Sequence, residues 1–350
     1  MQRPRILCFT LKPAVMKTIL VPIDFSPDSK NALLYALELA QKPHIRIIVF
    51  HAFYPAALPP AAYETPSFIQ NLERVKCREL EQYVNVCKEA APHDYVFDFR
   101  CAPKVTKPEN LVPGYTEQVF HTIVAVQEPQ ERFADQVTCV ARMGTVYEQI
   151  LSVAEAYEAD LIVMGMQGGS ALEQALIGST TLSIMRNCSV PVLGVPLHAR
   201  FRGLRSVVFA SDLSRQPDKT LLRLLRGFMK TFKPRLELLH LHRQQDMQAE
   251  YRNVERTLEA FDEQLHDIDY KVVLRQRPEV VAGIREYLQE RQPSALILSP
   301  QKHTFIKRLF NKSVTAQMVA YHDVPLLTLP SSRTNWQERE PEELEKVHEH

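Results

Sequence analysis

The sequence predicts an α/β fold made of two tandem copies of one unit, each a five-stranded, mostly parallel sheet with helices on both faces. Three observations carry the prediction. Apolar runs such as Leu161-Ile162-Val163-Met164 are continuous rather than alternating, as strands buried on both faces require. Segments with apolar residues at three-and-four spacing separate these runs, and strand alternating with helix demands a parallel sheet with right-handed crossovers. The chain also repeats: Ile23-Asp24-Phe25-Ser26 returns as Ser211-Asp212-Leu213-Ser214, an offset of 188.

Each copy reads strand, helix, strand, helix, strand, helix, strand, helix, strand. In the first, Ile19-Leu20-Val21 is a strand that leads through Asp24 into a helix, and Val49-Phe50-His51 ends the second strand. Its partner Leu238-Leu239-His240 keeps an offset of 189, whereas Leu161–Met164 matches Ala295–Leu298 at only 134. The last strands, Val190-Pro191-Val192-Leu193 and Val324-Pro325-Leu326-Leu327, also keep 134. The first copy therefore carries about 55 extra residues (189 minus 134) between its second and fourth strands. They fall within Pro55–Gln136, which holds nine of the 24 prolines. Thr65–Ala90 reads as a long helix. Residues 91–136 read as an insertion, either a hairpin arm with strands at Tyr95–Phe99 and Thr122–Val126 or a solvated loop.

The expected organisation is a disordered extension over 1–15, a first domain over 16–196, a linker over 197–204, a second domain over 205–330 and an acidic tail over 331–350. Met16 is the expected true start. In the tail, Glu338–His350 has six glutamates against Arg339 and Lys346, and Trp336 precedes it.

Composition excludes several classes. The 350 residues are 45% hydrophobic with a formal charge of +1, so no overall field favours nucleic acid or an anionic membrane. No apolar stretch reaches the roughly 18 residues of a bilayer span, and the first 15 residues, with Lys12 and Pro13 breaking the apolar segment, are not expected to act as a signal peptide. Six cysteines, all within the first 190 residues and none in a C-x-x-C pair, point to a reducing cytoplasm.

The run Leu161–Met164 empties into Gly165-Met166-Gln167-Gly168-Gly169, and Gly178-Ser179-Thr180-Thr181 follows. This reads as a phosphate cradle. Glycines allow positive φ and a close approach of an anion to main-chain N–H groups, and Gly178 and Ser179 open a helix whose first unpaired N–H groups suit a phosphate. In open α/β sheets ligands bind beyond the carboxyl ends of the strands where strand order reverses, and Asp24 and the Gly165 loop both occupy such ends.

These residues resemble the universal stress protein family in its tandem two-domain form, over nearly all of residues 16–330. Gly165, Gly168, Gly178 and Ser179 fit the family's nucleotide signature of glycine, two residues, glycine, nine residues, glycine, then serine or threonine. Val21-Pro22-Ile23-Asp24-Phe25-Ser26, Asp160–Gly165 and Ser189-Val190-Pro191-Val192 fit its strand ends. The resemblance implies a flavodoxin-like, Rossmann-like fold of the adenine nucleotide alpha hydrolase type, pairing through last strands, here Pro191–Val195 with Pro325–Leu329. It implies ATP as ligand, or ADP or AMP in its place, with or without Mg²⁺. Asp24 would face the adenine and ribose side, with Pro22 and Ile23 in the same binding set, and the backbone near Phe50 and His51 would border the base. Met164, Gly165, Gly168, Gly178, Ser179, Thr180 and Thr181 would hold the phosphates. Asp24 and Ser179 read equally as helix caps.

Two departures matter. Glu173 stands where relatives commonly carry a basic residue, and no Lys or Arg lies between Gly165 and Met185. In the second copy, Gly165, Gly168 and Gly178 become Ser299, Lys302 and Lys312, with Ser313 retained, so this cradle is degenerate. Lys302, Lys307, Arg308 and Lys312 then form a solvated basic face or an anion site. Arg215, Lys219, Arg223 and Arg226 lie opposite Leu221, Leu225 and Phe228, as on an ordinary amphipathic helix.

There is no P-loop, G-x-G-x-x-G or G-x-S-x-G motif. His240 and His242 share a strand face without a third ligand, which fits packing or capping. The expected function is stress-response sensing through an adenine nucleotide in the first domain, with the second as structural partner and a further homodimer as an open outcome. The protein is expected not to be an enzyme. The alternatives are a scaffold that binds no nucleotide and a slow ATPase.

Overall fold

A computed structural model describes residues 15–41, 45–54, 66–89, 137–166, 177–213, 215–242, 247–299 and 324–330. The expected extension up to residue 14, the insertion 91–136, Gly168, Glu173, the Lys302–Lys312 cluster and the acidic tail lie outside these residues.

The first half runs β1 (Thr18–Pro22), α1 (Pro27–Leu39), β2 (Arg46–Phe53), α2 (Pro66–Glu89), β3 (Val137–Met143), α3 (Val146–Ala156), β4 (Leu161–Gly165), α4 (Ser179–Asn187) and β5 (Val192–Val195). The second runs β6 (Ser206–Ala210), α5 (Lys219–Phe232), β7 (Arg235–His242), α6 (Met247–Leu265), β8 (Tyr270–Gln276), α7 (Val280–Arg291), β9 (Ala295–Leu298) and β10 (Leu326–Thr328). Together they form one ten-stranded sheet of order β3-β2-β1-β4-β5-β10-β9-β6-β7-β8. Every pairing is parallel except β5 with β10, where Leu193 opposes Leu327.

Register makes the repeat explicit. Ile19 lies beside Leu161 and Val207 beside Ala295, offsets of 188 (207 minus 19) and 134 (295 minus 161). Ile47 lies beside Val137 and Leu236 beside Tyr270, offsets of 189 (236 minus 47) and 133 (270 minus 137). The surplus of 56 residues (189 minus 133) therefore falls wholly between β2 and β3.

The central strands are apolar on both faces because helices cover both. On one face α1, α2, α5 and α6 bury Leu33, Leu80, Leu225 and Phe261 against Ile19, Val49 and Val207. On the other, α3, α4 and α7 bury Ile150, Ile184 and Ile284 against Leu20, Ile48 and Leu296. On α5, Leu221, Leu225 and Phe228 are buried, while Arg226 and Lys230 pair with Asp267 at 3.1 and 2.6 Å. Its basic stripe is thus a partly neutralised surface face.

The connector after β5 is fastened to α1. Asn31 Nδ2 donates to the carbonyls of Pro196 (2.8 Å) and Ala199 (3.0 Å), and its Oδ1 accepts from Arg200 (2.6 Å). Tyr35 meets the Phe201 ring edge-on at 5.1 Å. Among the described residues no helix is long and apolar enough to cross a membrane, and Cys77, Cys87, Cys139 and Cys188 are free thiols.

Candidate functional site

In the first half the strand order reverses between β1 and β4, the point at which open α/β sheets place a ligand crevice beyond the carboxyl ends of their strands. The turn 23–26 leaves β1 on one side of it, and Gly165 ends β4 on the other.

The turn is built around the start of α1. Ser26 is the N-cap, accepting from the Ser29 N–H at 3.2 Å, with Pro27 at the first helical position. Asp24 is not the cap but its brace: its carboxylate accepts the Ser26 N–H at 3.0 Å and the Ser26 hydroxyl at 2.5 Å. Partial burial raises the Asp24 pKa, yet the hydrogen bonds from Ser26 and Ser29 prevail and hold it below the ordinary carboxylate value. Asp24 is therefore an exposed anion at neutral pH.

Beside it, His51 lies half-buried near the carboxyl end of β2, two residues before Phe53, with Nδ1 2.8 Å from the Ile23 carbonyl. A carbonyl cannot donate, so Nδ1 carries the proton and Nε2 is left as an acceptor. Burial pushes the His51 pKa down, only partly countered by that hydrogen bond, so the ring is neutral at pH 7. Ile23, Phe50 and Met164 are buried, and the Phe50 carbonyl already accepts the Ile23 N–H at 2.7 Å. Their side chains belong to the two core clusters. Pro22 is half-buried at the end of β1.

Across the crevice, Gly165 does not use left-handed backbone; the described glycines at positive φ are Gly144 and Gly203. Its lack of a side chain has a different reason. A Cβ there would lie 2.8 Å from the Asp28 carbonyl carbon and Cβ, so α1 packs against the bare end of β4. Gly178 is the N-cap of α4, with φ −54° and no side-chain cap, and the first turn contains no acidic residue. Its N–H donates to the Met166 carbonyl at 2.7 Å, which ties the helix start to the strand end. Ser179 is exposed and Thr180 half-buried at this start. Thr181 is buried and its hydroxyl donates to the Gly165 carbonyl at 2.9 Å, so it positions α4. The described members of the predicted set thus lie at the carboxyl ends of β1, β2 and β4 and at the start of α4, with an uncapped helix start on one side and an anionic turn on the other.

Sequence reasoning gave no role to Phe25 or Tyr83. The Phe25 ring packs on His51 at 4.6 Å and on Tyr83 of α2 at 5.0 Å, and His51 stacks on Phe53 at 6.3 Å. Phe25 lay within the quoted motif; Tyr83 is brought in only by the tertiary fold.

The second half repeats the frame with different chemistry. His240 takes the place of His51, buried, with Nδ1 accepting the Leu213 N–H at 3.1 Å. Of the two roles expected for it, packing or capping, its burial fits packing, and the cap of α5 is Asp218 instead. Asp212 pairs with Arg215 at 3.6 Å, and Ser299, standing where Gly165 stands, is buried. Among the described residues no group of three His, Cys, Asp or Glu could hold a metal ion.

Comparison with known proteins agrees with this architecture. Two universal stress proteins of Methanocaldococcus jannaschii align: MJ0577 at 29% identity over 80 residues, 23% of this chain and 49% of the relative, and MJ0531 at 28% over 118 residues, 32% and 69%. The chain thus spans about half the length of the first. A universal stress protein of Archaeoglobus fulgidus has a similar fold over 90% of this chain and 98% of its own, with 17% identity and a TM-score of 0.57. The functionally unknown PA1789 of Pseudomonas aeruginosa follows over 92% and 95%, at 13% identity and 0.51. The Universal stress protein family model matches residues 16–196, more than half of the sequence, and the chain belongs to the universal stress protein family.

Proposed function

We propose that the first half binds an adenine nucleotide, ATP or in its place ADP or AMP, in the crevice between β1 and β4, and that occupancy is the signal in a stress response. The observation that carries this reading is the start of α4. Gly178 leaves the helix N-terminus without a side-chain cap or a first-turn carboxylate, directly beyond the carboxyl end of β4. A phosphate supplies the missing acceptor there, and the turn around Asp24 borders the sugar and base. The second half, with Asp212 paired to Arg215 and Ser299 in place of a glycine, is a structural partner, joined through β5 and β10 as an internal dimer. Sensing without rapid turnover fits a wall of main-chain donors and no assigned general base. Mg²⁺ would travel with the nucleotide, and the cytoplasm is the expected compartment.

Denaturing the purified protein and running the supernatant by mass spectrometry tests this, with titration calorimetry for added ATP. Copurified ATP, ADP or AMP, or calorimetric binding, supports it. Gly178→Asp sharpens the test, because aspartate caps a helix at least as well as glycine yet puts a carboxylate where the phosphate sits. Binding should vanish while stability stays within a few tenths of a kcal/mol or rises. An empty crevice and no binding by the unaltered chain would leave the scaffold reading, which the absence of Lys and Arg between Gly165 and Met185 favours.

A further inference from the structure

The repeat offers an internal control for one residue of the turn after the first strand. Phe25 and Leu213 are equivalent, each between an aspartate and a serine, each beside a strand-end histidine. Their conformations differ. Leu213 is fully buried in the core and is not among the residues at positive φ. Phe25 has φ 64°, left-handed backbone that costs free energy for a residue with a Cβ, and the residue is 39% exposed. Burial in the core does not account for this, since Leu213 shows that the equivalent position can be buried without positive φ. What holds Phe25 outward is an aromatic cluster, His51 at 4.6 Å and Tyr83 at 5.0 Å. The His51 ring is itself fixed by its bond to the Ile23 carbonyl.

We infer that Phe25, propped by His51 and Tyr83, is the stacking platform on which the crevice selects a planar heteroaromatic base. The inference rests on the nucleotide reading and deepens it by naming the residue that discriminates among ligands. An outward ring costs backbone strain and solvent exposure, and both are offset when a base covers it. The rings meet at 57° and 87°, so neither neighbour covers a face of Phe25 by parallel stacking. The second half has a buried leucine at this position and offers no such surface.

Calorimetry with ATP on the full chain tests this through Phe25→Ala, Phe25→Leu and Phe25→Trp. Stacking on an aromatic side chain supports about a ten- to hundredfold gain in affinity. The Ala and Leu variants should therefore lose about tenfold or more, and the Trp variant should stay within about threefold, its emission quenched as ATP is added. Because Phe25 is partly exposed, the thermal midpoint of each variant should move little, and recording it separates lost stacking from lost folding. If the unaltered chain binds ATP and the Leu or Ala variant binds it equally well, the platform is refuted and nucleotide binding stands. If the unaltered chain binds no ATP, the nucleotide reading fails and the platform fails with it.

Discussion

At the scale of single residues, one motif serves packing and chemistry together. Gly165 is held bare by Asp28 at 2.8 Å, whatever occupies the crevice. Gly165→Ala should therefore destabilise the ligand-free chain by about 1–3 kcal/mol, the usual cost of forcing atoms into a packed contact. Urea unfolding measures it, and an unchanged midpoint would show that α1 yields freely. His51 makes a separate prediction with a definite sign. Its folded pKa lies below the ordinary 6.5 because burial disfavours the cation. Below pH 6.5 the unfolded chain takes up a proton that the folded chain still refuses, so stability is complete above 6.5 and falls with pH down to the folded pKa. His51→Gln should flatten that slope. A variant whose stability keeps the same dependence over this window would remove His51 as its origin.

At the scale of elements, what was legible is what local physics encodes. Continuous apolar runs marked the strands, good helix formers over Thr65–Ala90 marked α2 at Pro66–Glu89, and Gly178 marked the start of α4. The offsets of 188 and 134 read from the sequence recur in the pairing of Ile19 with Leu161 and of Val207 with Ala295. Less legible was the position of the surplus. Val137–Met143 carries Thr138 and Arg142 among its apolar residues, and register, not composition, identifies it as the counterpart of Tyr270–Gln276. Side-chain roles were harder still. Asp24 and Ser26 are both competent caps, and only the hydrogen bonds show which one caps and which one braces. Gly165 read as a conformational glycine because sequence reveals the missing Cβ but not Asp28 pressing on it. Thr181 read as a phosphate ligand because sequence reveals its hydroxyl but not the Gly165 carbonyl, sixteen residues away, to which the fold bonds it. Phe25 gave no signal, since positive φ in a phenylalanine follows from its neighbours and not from its type.

At the scale of the whole molecule, the two halves share a sheet and a core. Leu193, Val195 and Ala199 from the first half lie in the same buried cluster as Val207, Leu327 and Leu329 from the second. The Met16 N–H bonds the Thr231 hydroxyl at 2.8 Å, which ties the start of β1 to α5 across 215 positions. Leu327 stands at the centre of the junction, fully buried, opposite Leu193 on β5 and beside Ile297 on β9. Each half alone would expose an edge strand, β5 or β10, with unpaired main-chain groups and an apolar border. Neither half can therefore lose its fold without exposing the other. Calorimetric unfolding should show one cooperative transition with equal calorimetric and van't Hoff enthalpies. Leu327→Ala should cost about 2–5 kcal/mol by transfer and cavity terms and should lower that single transition. Two resolved transitions, with the variant moving only one, would instead describe halves that fold independently. In that case a perturbation of the first half could not reach the second half through stability.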